Sequence, residues 1–409
     1  MAPSSLSTPF SDDVFVIDVE SNRNIAAQKK THLLLPDIDK RYGNVFKRGL
    51  HHASSMDRDW WTRPSAVPLV LLVMSLLIIV VGGTIRISDA GESCPDWPQC
   101  FGTWTFDVSV DEQQQFWEDN PDHEDSRGID HRYSTFQIFT EWFHRLLVAV
   151  VAIPVLLNFV MAKKLKETYG DRAVKVSFLA GILLICQAIA GAITVVLDNV
   201  DWSVALHLSL ACIWASVLLY QYLWMRICEG ANWSLLKTSQ EFFNQHAKRI
   251  DSMAASVFLL LILGAWVAST AGGQYNQGCS VGFPNGWPKC NGDFFPSVDG
   301  PGIMVQMIHR TGALLVGLLL ILSTARITES VRRDKQATGF KTFAHMTSGL
   351  WSLNVLVGAS YIILAKLEEF PEWLSLVHLV VGVSSVLMAI CASMLMRLSK
   401  EISLESSEE

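Results

Sequence analysis

Eight runs of about twenty mostly apolar residues constrain this chain more than any other feature, because each is long enough, at about 1.5 Å per residue, to cross roughly 30 Å of hydrocarbon. They lie near 66–87, 136–161, 174–197, 202–226, 252–271, 303–325, 342–365 and 373–396. In lipid every backbone N–H and C=O must be satisfied within the segment, so the runs predict helices. The fold class expected is all-α integral membrane with eight transmembrane helices. Half of the 409 residues are hydrophobic (50%) and 17% are charged, more apolar surface than one soluble core needs. With 32 basic against 39 acidic side chains, net −7, no basic excess remains for phosphate backbones, which excludes nucleic-acid binding. The same composition excludes a collagen, a coiled-coil rod and a disordered tail protein.

Basic residues sort the connections between runs. Lys163, Lys164, Lys166, Arg172 and Lys175 flank the second, Arg226, Lys237, Lys248 and Arg249 the fourth, and Arg326, Arg332, Arg333, Lys335 and Lys341 the sixth. By the positive-inside bias those connections are cytoplasmic. The N-terminal tail, with Lys29, Lys30, Lys40, Arg41, Lys47, Arg48, Arg58 and Arg63, and the C-terminal Arg397 and Lys400 fall on that side, so both termini are expected in the cytoplasm. The loop 88–135 is acidic and is expected outside. Residues 1–65 read as a polar cytoplasmic extension, without the apolar core and cleavage site of a secretory signal. The fifth run ends in Ser269-Thr270-Ala271-Gly272-Gly273. Between the third and fourth runs only Asp198-Asn199-Val200-Asp201 intervenes, which requires a tight helical hairpin.

The two halves repeat. Gly82-Gly83 precedes Cys94-Pro95-Asp96-Trp97-Pro98-Gln99-Cys100, and Gly272-Gly273 precedes Cys279 and Gly286-Trp287-Pro288-Lys289-Cys290. Each half then carries His-Arg in its second helix (His144-Arg145, His309-Arg310) and a lone His in its fourth (His207, His378). The organisation expected is a first four-helix unit at 66–226, a cytoplasmic linker at 227–251, a second unit at 252–396 and a tail at 397–409. An even number of helices per unit makes the repeat parallel, two tandem four-helix bundles related by a pseudo-two-fold axis along the membrane normal.

Under this topology all four His enter from the outer side and lie about 9–13 Å below it. Two imidazoles on facing helices at one depth can ligate the iron of a flat macrocycle from both faces. A single buried His more often serves as an interhelical hydrogen-bonder, but four at matching depth and matching repeat positions favour metal or haem ligation. The other His, 32, 51, 52, 123, 131, 246 and 345, are expected to be solvated.

Cys94/Cys100 and Cys279/Cys290 lie outside, where thiols are normally oxidised, so two short-loop disulfides are expected. Stapling suits Cys279/Cys290; for Cys94/Cys100 stapling and a redox role stand level. Cys186, Cys212, Cys228 and Cys391 read as small buried hydrophobes. The halves differ at one informative place: Glu141 stands three residues before His144, whereas Gln306 stands three before His309. An ionisable residue at membrane depth is costly and points to function, against the plainer reading of a carboxylate held by a helix N-terminus. Arg145 and Arg310 could pair with haem propionates or lipid phosphate. Trp97, Trp104, Trp142, Trp202, Trp287 and Trp373 read as interface anchors. Three function classes fit less fully: a di-haem b-type membrane cytochrome that passes electrons, a membrane thiol-disulfide oxidase coupled to quinone, and a transporter.

Together Gly82-Gly83-Thr84-Ile85-Arg86, Cys94 to Gly102, Glu141-Trp142-Phe143-His144-Arg145, Trp287-Pro288-Lys289-Cys290-Asn291-Gly292 and Ile308-His309-Arg310, with His207 and His378, resemble the haem A synthase family in its cysteine-bearing bacterial and archaeal branch. The resemblance covers about residues 66–396. It implies oxidation of the C8 methyl group of haem O to the formyl group of haem A by successive hydroxylation. It also implies that His144 and His207 hold haem O, that His309 and His378 hold a haem b cofactor through its iron, and that Glu141 is the essential acid. The partners implied are a haem O synthase and an electron-transfer protein, with homo-oligomerisation left open, in the plasma membrane of a prokaryote. The long acidic loop (Asp111-Glu112, Glu118-Asp119, Asp122, Glu124-Asp125) and the long N-terminal tail depart from the family pattern.

Overall fold

The computed structural model of the chain describes residues 59–405 except 122–127, 129, 198, 269–277 and 367–368. Most of the N-terminal extension, Gly272-Gly273 and the end of the fifth apolar run therefore lie outside the described residues. So do His32, His51, His52, His123, Asp122, Glu124 and Asp125.

Nine α-helices occur among the described residues: α1 Ala66–Ile87, α2 Val110–Asp119, α3 Thr135–Lys164, α4 Lys166–Val196, α5 Asp201–Cys228, α6 Gln240–Ala268, α7 Pro301–Val331, α8 Thr338–Leu364 and α9 Glu372–Glu405. All but α2 are long and apolar enough to span a bilayer, so the eight expected spans are present and the chain is a multi-pass membrane protein. Helix boundaries run past the apolar windows wherever polar residues continue the helix. Thus α6 begins at Gln240, which makes much of the 227–251 connection helical. The α4–α5 connection is as tight as its sequence requires, with Asn199 at φ 54° in the left-handed region that Asn tolerates.

In the first half α1 packs on α3 and α5, and α4 packs on α3 and α5. In the second half α6, α7, α8 and α9 close a ring in the same cyclic order. The halves meet along α5 with α6, α9 with α5 and α9 with α1. At this seam Ile79, Ala211, Cys212 and Val383 form a buried cluster. A larger cluster at the end away from the disulfides joins Leu223 and Ile227 of α5 to α6, α7, α8 and α9. Lipid tails are as apolar as leucine, so close packing and interhelical hydrogen bonds must hold the helices together. One such contact is a reciprocal amide pair: Asn158 Nδ2 donates to Gln221 Oε1 at 2.9 Å, and Gln221 Nε2 donates back at 3.0 Å, both side chains fully buried.

The acidic loop contains structure that its composition hides. Ser109 and Glu112 form a capping box that starts α2. The Ser109 hydroxyl, and then its backbone N–H, hold the exposed Glu112 carboxyl below the ordinary carboxylate range. Trp117 of α2 packs with Phe101, Val108, Tyr133 and Ile138 over the Cys94–Cys100 disulfide. Gln113 exchanges two hydrogen bonds with the Tyr133 backbone, which pins α2 to the chain entering α3.

Candidate functional site

His144, His207, His309 and His378 fall in the second or third turn of α3, α5, α7 and α9, counted from the end that carries the disulfides. Each imidazole rests on a glycine of the preceding membrane helix. A Cβ on Gly82 would lie 3.3 Å from His144 Cε1, on Gly191 3.0 Å from His207 Cε1, on Gly264 3.1 Å from His309 Cε1 and on Gly358 2.8 Å from His378 Cε1. The missing side chain thus seats each ring edge against backbone. His144 lies within electrostatic reach of His207, and His309 of His378.

All four His line one cavity of about 1230 Å³, together with Glu141 and Arg145. That exceeds the roughly 300–1,000 Å³ of a pocket for one drug-sized ligand. Nδ1 of His378 donates to the Asn354 carbonyl at 2.9 Å, a contact of the kind that orients a ligating imidazole and leaves Nε2 as the basic nitrogen. His207 and His309 keep a buried Nδ1 without a hydrogen-bond partner. Gln187, at the same offset from Gly191 as Asn354 from Gly358, donates through Nε2 to the His207 carbonyl at 3.0 Å.

Among the described residues no group of three or more His, Cys, Asp or Glu could hold a bare metal ion. A pair of imidazoles suffices for a metal whose other ligands come from a macrocycle. The donor set, the apolar lining and the glycine seats fit haem in both halves.

Glu141 is buried, 4% exposed, and lines the cavity. Its Oε1 accepts from Arg145 Nη2 at 2.6 Å, and its Oε2 accepts from the Cys94 N–H at 3.0 Å and the Ser93 hydroxyl at 3.1 Å. Its counterpart Gln306 is also buried but does not line the cavity. Arg145 donates further to the carbonyls of Cys94, Asp96 and Gln99. Arg310 likewise donates to the carbonyls of Gly286 and Lys289, at 2.9 and 2.8 Å. Both guanidiniums thus clamp the disulfide loop of their own half, a role that their position after His did not disclose. Cys94–Cys100 and Cys279–Cys290 are the disulfides expected, and neither cysteine pair lines the cavity.

Trp97 and Trp104, expected as interface anchors, are exposed and also line the cavity. Of the His read as solvated, His246 is fully buried. Its Nε2 meets Ser330 Oγ at 2.8 Å and its Nδ1 accepts from Arg249 at 2.8 Å, because α6 starts early and carries the residue into the helix packing. Cys186, read as a buried hydrophobe, is exposed on α4. The seats Gly191, Gly264 and Gly358 escaped notice in the sequence. Their signal is a glycine on the helix before each His, with Gln187 and Asn354 four residues ahead of two of them.

Residues 66–391 match the COX15-CtaA family, described as cytochrome oxidase assembly protein. Among curated proteins the chain is similar to "Heme A synthase" of Sphingopyxis alaskensis, 24% identical over 361 residues, covering 83% of this chain and 93% of that protein. It is similar to "Heme A synthase" of Shewanella oneidensis, 24% identical over 324 residues, covering 72% of this chain and 86% of that protein. A third relative, "Heme A synthase" of Shouchella clausii, is 26% identical over 250 residues, covering 60% and 70%. With its eight membrane helices and its family match across most of its length, the chain belongs to the COX15-CtaA family of cytochrome oxidase assembly proteins.

Proposed function

We propose that the protein is a haem A synthase, oxidising the C8 methyl group of haem O to the formyl group of haem A by successive hydroxylation. The observation that carries this reading is the single acid: Glu141 faces the cavity beside His144, whereas the equivalent position holds Gln306 outside it. In this reading His144 and His207 hold the substrate haem O, while His309 and His378 hold a haem b cofactor. Bound haem supplies the redox chemistry. The chain positions the macrocycles, excludes water through its apolar lining, and places a carboxylate where a proton or positive charge must be handled. Arg145 and the Cys94 N–H set the orientation of that carboxylate.

The bacterial relatives favour a plasma-membrane location, and the loop charges favour cytoplasmic termini. An electron donor or acceptor and a source of haem O are the partners the reaction needs. Extraction and mass analysis of the tetrapyrroles bound to protein purified from membranes that make haem O tests the reading. Haem O, its alcohol or haem A beside haem b supports it; haem b alone overturns it in favour of an electron-carrying cytochrome.

A further inference from the structure

The cavity is not equally shaped in the two halves. With α3 aligned to α7 on the His-Arg pairs and α4 to α8 on the glycine seats, Ala152 corresponds to Gly317 and Leu184 to Trp351. In the second half the Trp351 indole lies over Gly317: a Cβ there would stand 2.2 Å from Trp351 Cη2, and Gly317 is buried. In the first half Ala152 is exposed and lines the cavity beside Leu184, whereas in the second Trp351 itself lines the cavity and covers Gly317, which does not.

The lining along α3 runs from Glu141 through Ala149 to Ala152, whereas along α7 it ends at Ala313. Eight positions separate His144 from Ala152, about 12 Å of helix. Across this branch α4 contributes Leu184, Ile185 and Ala188. Every side chain named beyond His144 is apolar. Ala149, Ala152 and Ile185 are all exposed, so the branch reaches the lipid-facing surface of the first half.

We propose that this branch between α3 and α4 is the binding slot for a long linear hydrocarbon chain carried by the macrocycle of the first half, and that Trp351 denies the same slot to the second. The inference rests on the haem A synthase reading and deepens it: haem O differs from haem b by an isoprenoid chain on the ring edge. An apolar slot lined by alanines and branched aliphatic side chains takes a flexible hydrocarbon by close packing, and one large side chain there removes the room. The slot would thus sort the two macrocycles between sites whose imidazole pairs are alike.

The test compares the full-length wild type with Ala152→Trp and Leu184→Trp, purified from membranes that make both haem O and haem b. Extracted tetrapyrroles are quantified per protein. The wild type should carry tail-bearing haem and haem b, and both variants should lose tail-bearing haem at least about tenfold relative to haem b. Each variant should still accept tail-less haem b in the first site when it is added, seen as recovered absorbance. Where a variant does not fold, wild-type protein stripped of haem is titrated with haem O and haem b, and the first site should prefer haem O by at least about tenfold. Unchanged haem O content in folded variants, or equal affinities in the titration, overturns the slot. A wild type that never contains tail-bearing haem overturns the functional reading instead.

Discussion

The backbone N–H of Cys94 donates to Glu141 Oε2 at 3.0 Å, so the first disulfide loop forms part of the acid's own surroundings. Arg145 closes the arrangement by bonding the carboxylate and three carbonyls of the same loop. A buried ion pair of this kind is destabilised most when one partner is removed, because the other charge is left uncompensated.

Glu141→Gln keeps the size of the side chain while removing its charge and exchanging one acceptor oxygen for an amide donor. Conversion of haem O should fall by about 10²–10⁴, the range typical of a lost proton-handling group, with haem content unchanged. Measuring product and bound haem on one preparation checks this; wild-type turnover by Glu141→Gln would remove the acid from the chemistry.

Replacing both Cys94 and Cys100 by Ser should lower conversion more than replacing Cys279 and Cys290, since only the first loop donates to a cavity-lining acid. Haem content should stay close to wild type in both. Equal losses in the two double variants would mean that the disulfides act only on folding.

Gly358→Ala places a methyl 2.8 Å from His378 Cε1 and should displace that imidazole, lowering haem b content in the second half. Gly181→Ala meets nothing within 4 Å and serves as the control. It should retain haem and gain up to about 1 kcal/mol from the helix preference for alanine. The absorbance ratio of haem to protein, with thermal melting of each variant, separates the two effects.

His246→Ala should cost about 1–3 kcal/mol by leaving Ser330 and Arg249 without their shared partner, while leaving both haems in place. His309→Ala should do the opposite, losing one macrocycle with little change in the protein fold. Thermal denaturation set beside haem stoichiometry distinguishes a packing histidine from a ligating one.

Hydropathy alone located the eight spans, because a bilayer tolerates only long stretches whose backbone is internally satisfied. The repeat likewise exposed the four His and the Glu141/Gln306 difference, since side chains at fixed helical depth can be compared by counting residues. Helix boundaries were less legible. Gln240, Glu241, Lys248 and Arg249 dilute an apolar window yet form good helix, so the burial of His246 went unseen. The capping box at Ser109 and Glu112 was readable but was masked by the acidity around it.

Local pattern along one chain therefore sets the architecture and the identity of the chemical groups. Which glycine seats which imidazole, the binding of loop carbonyls by both arginines, and the packing of Trp351 over Gly317 in one half alone emerge from the folded packing of the helices. Those relations depend on contacts between residues far apart in sequence. No periodicity in one helix records the side chain it meets on another.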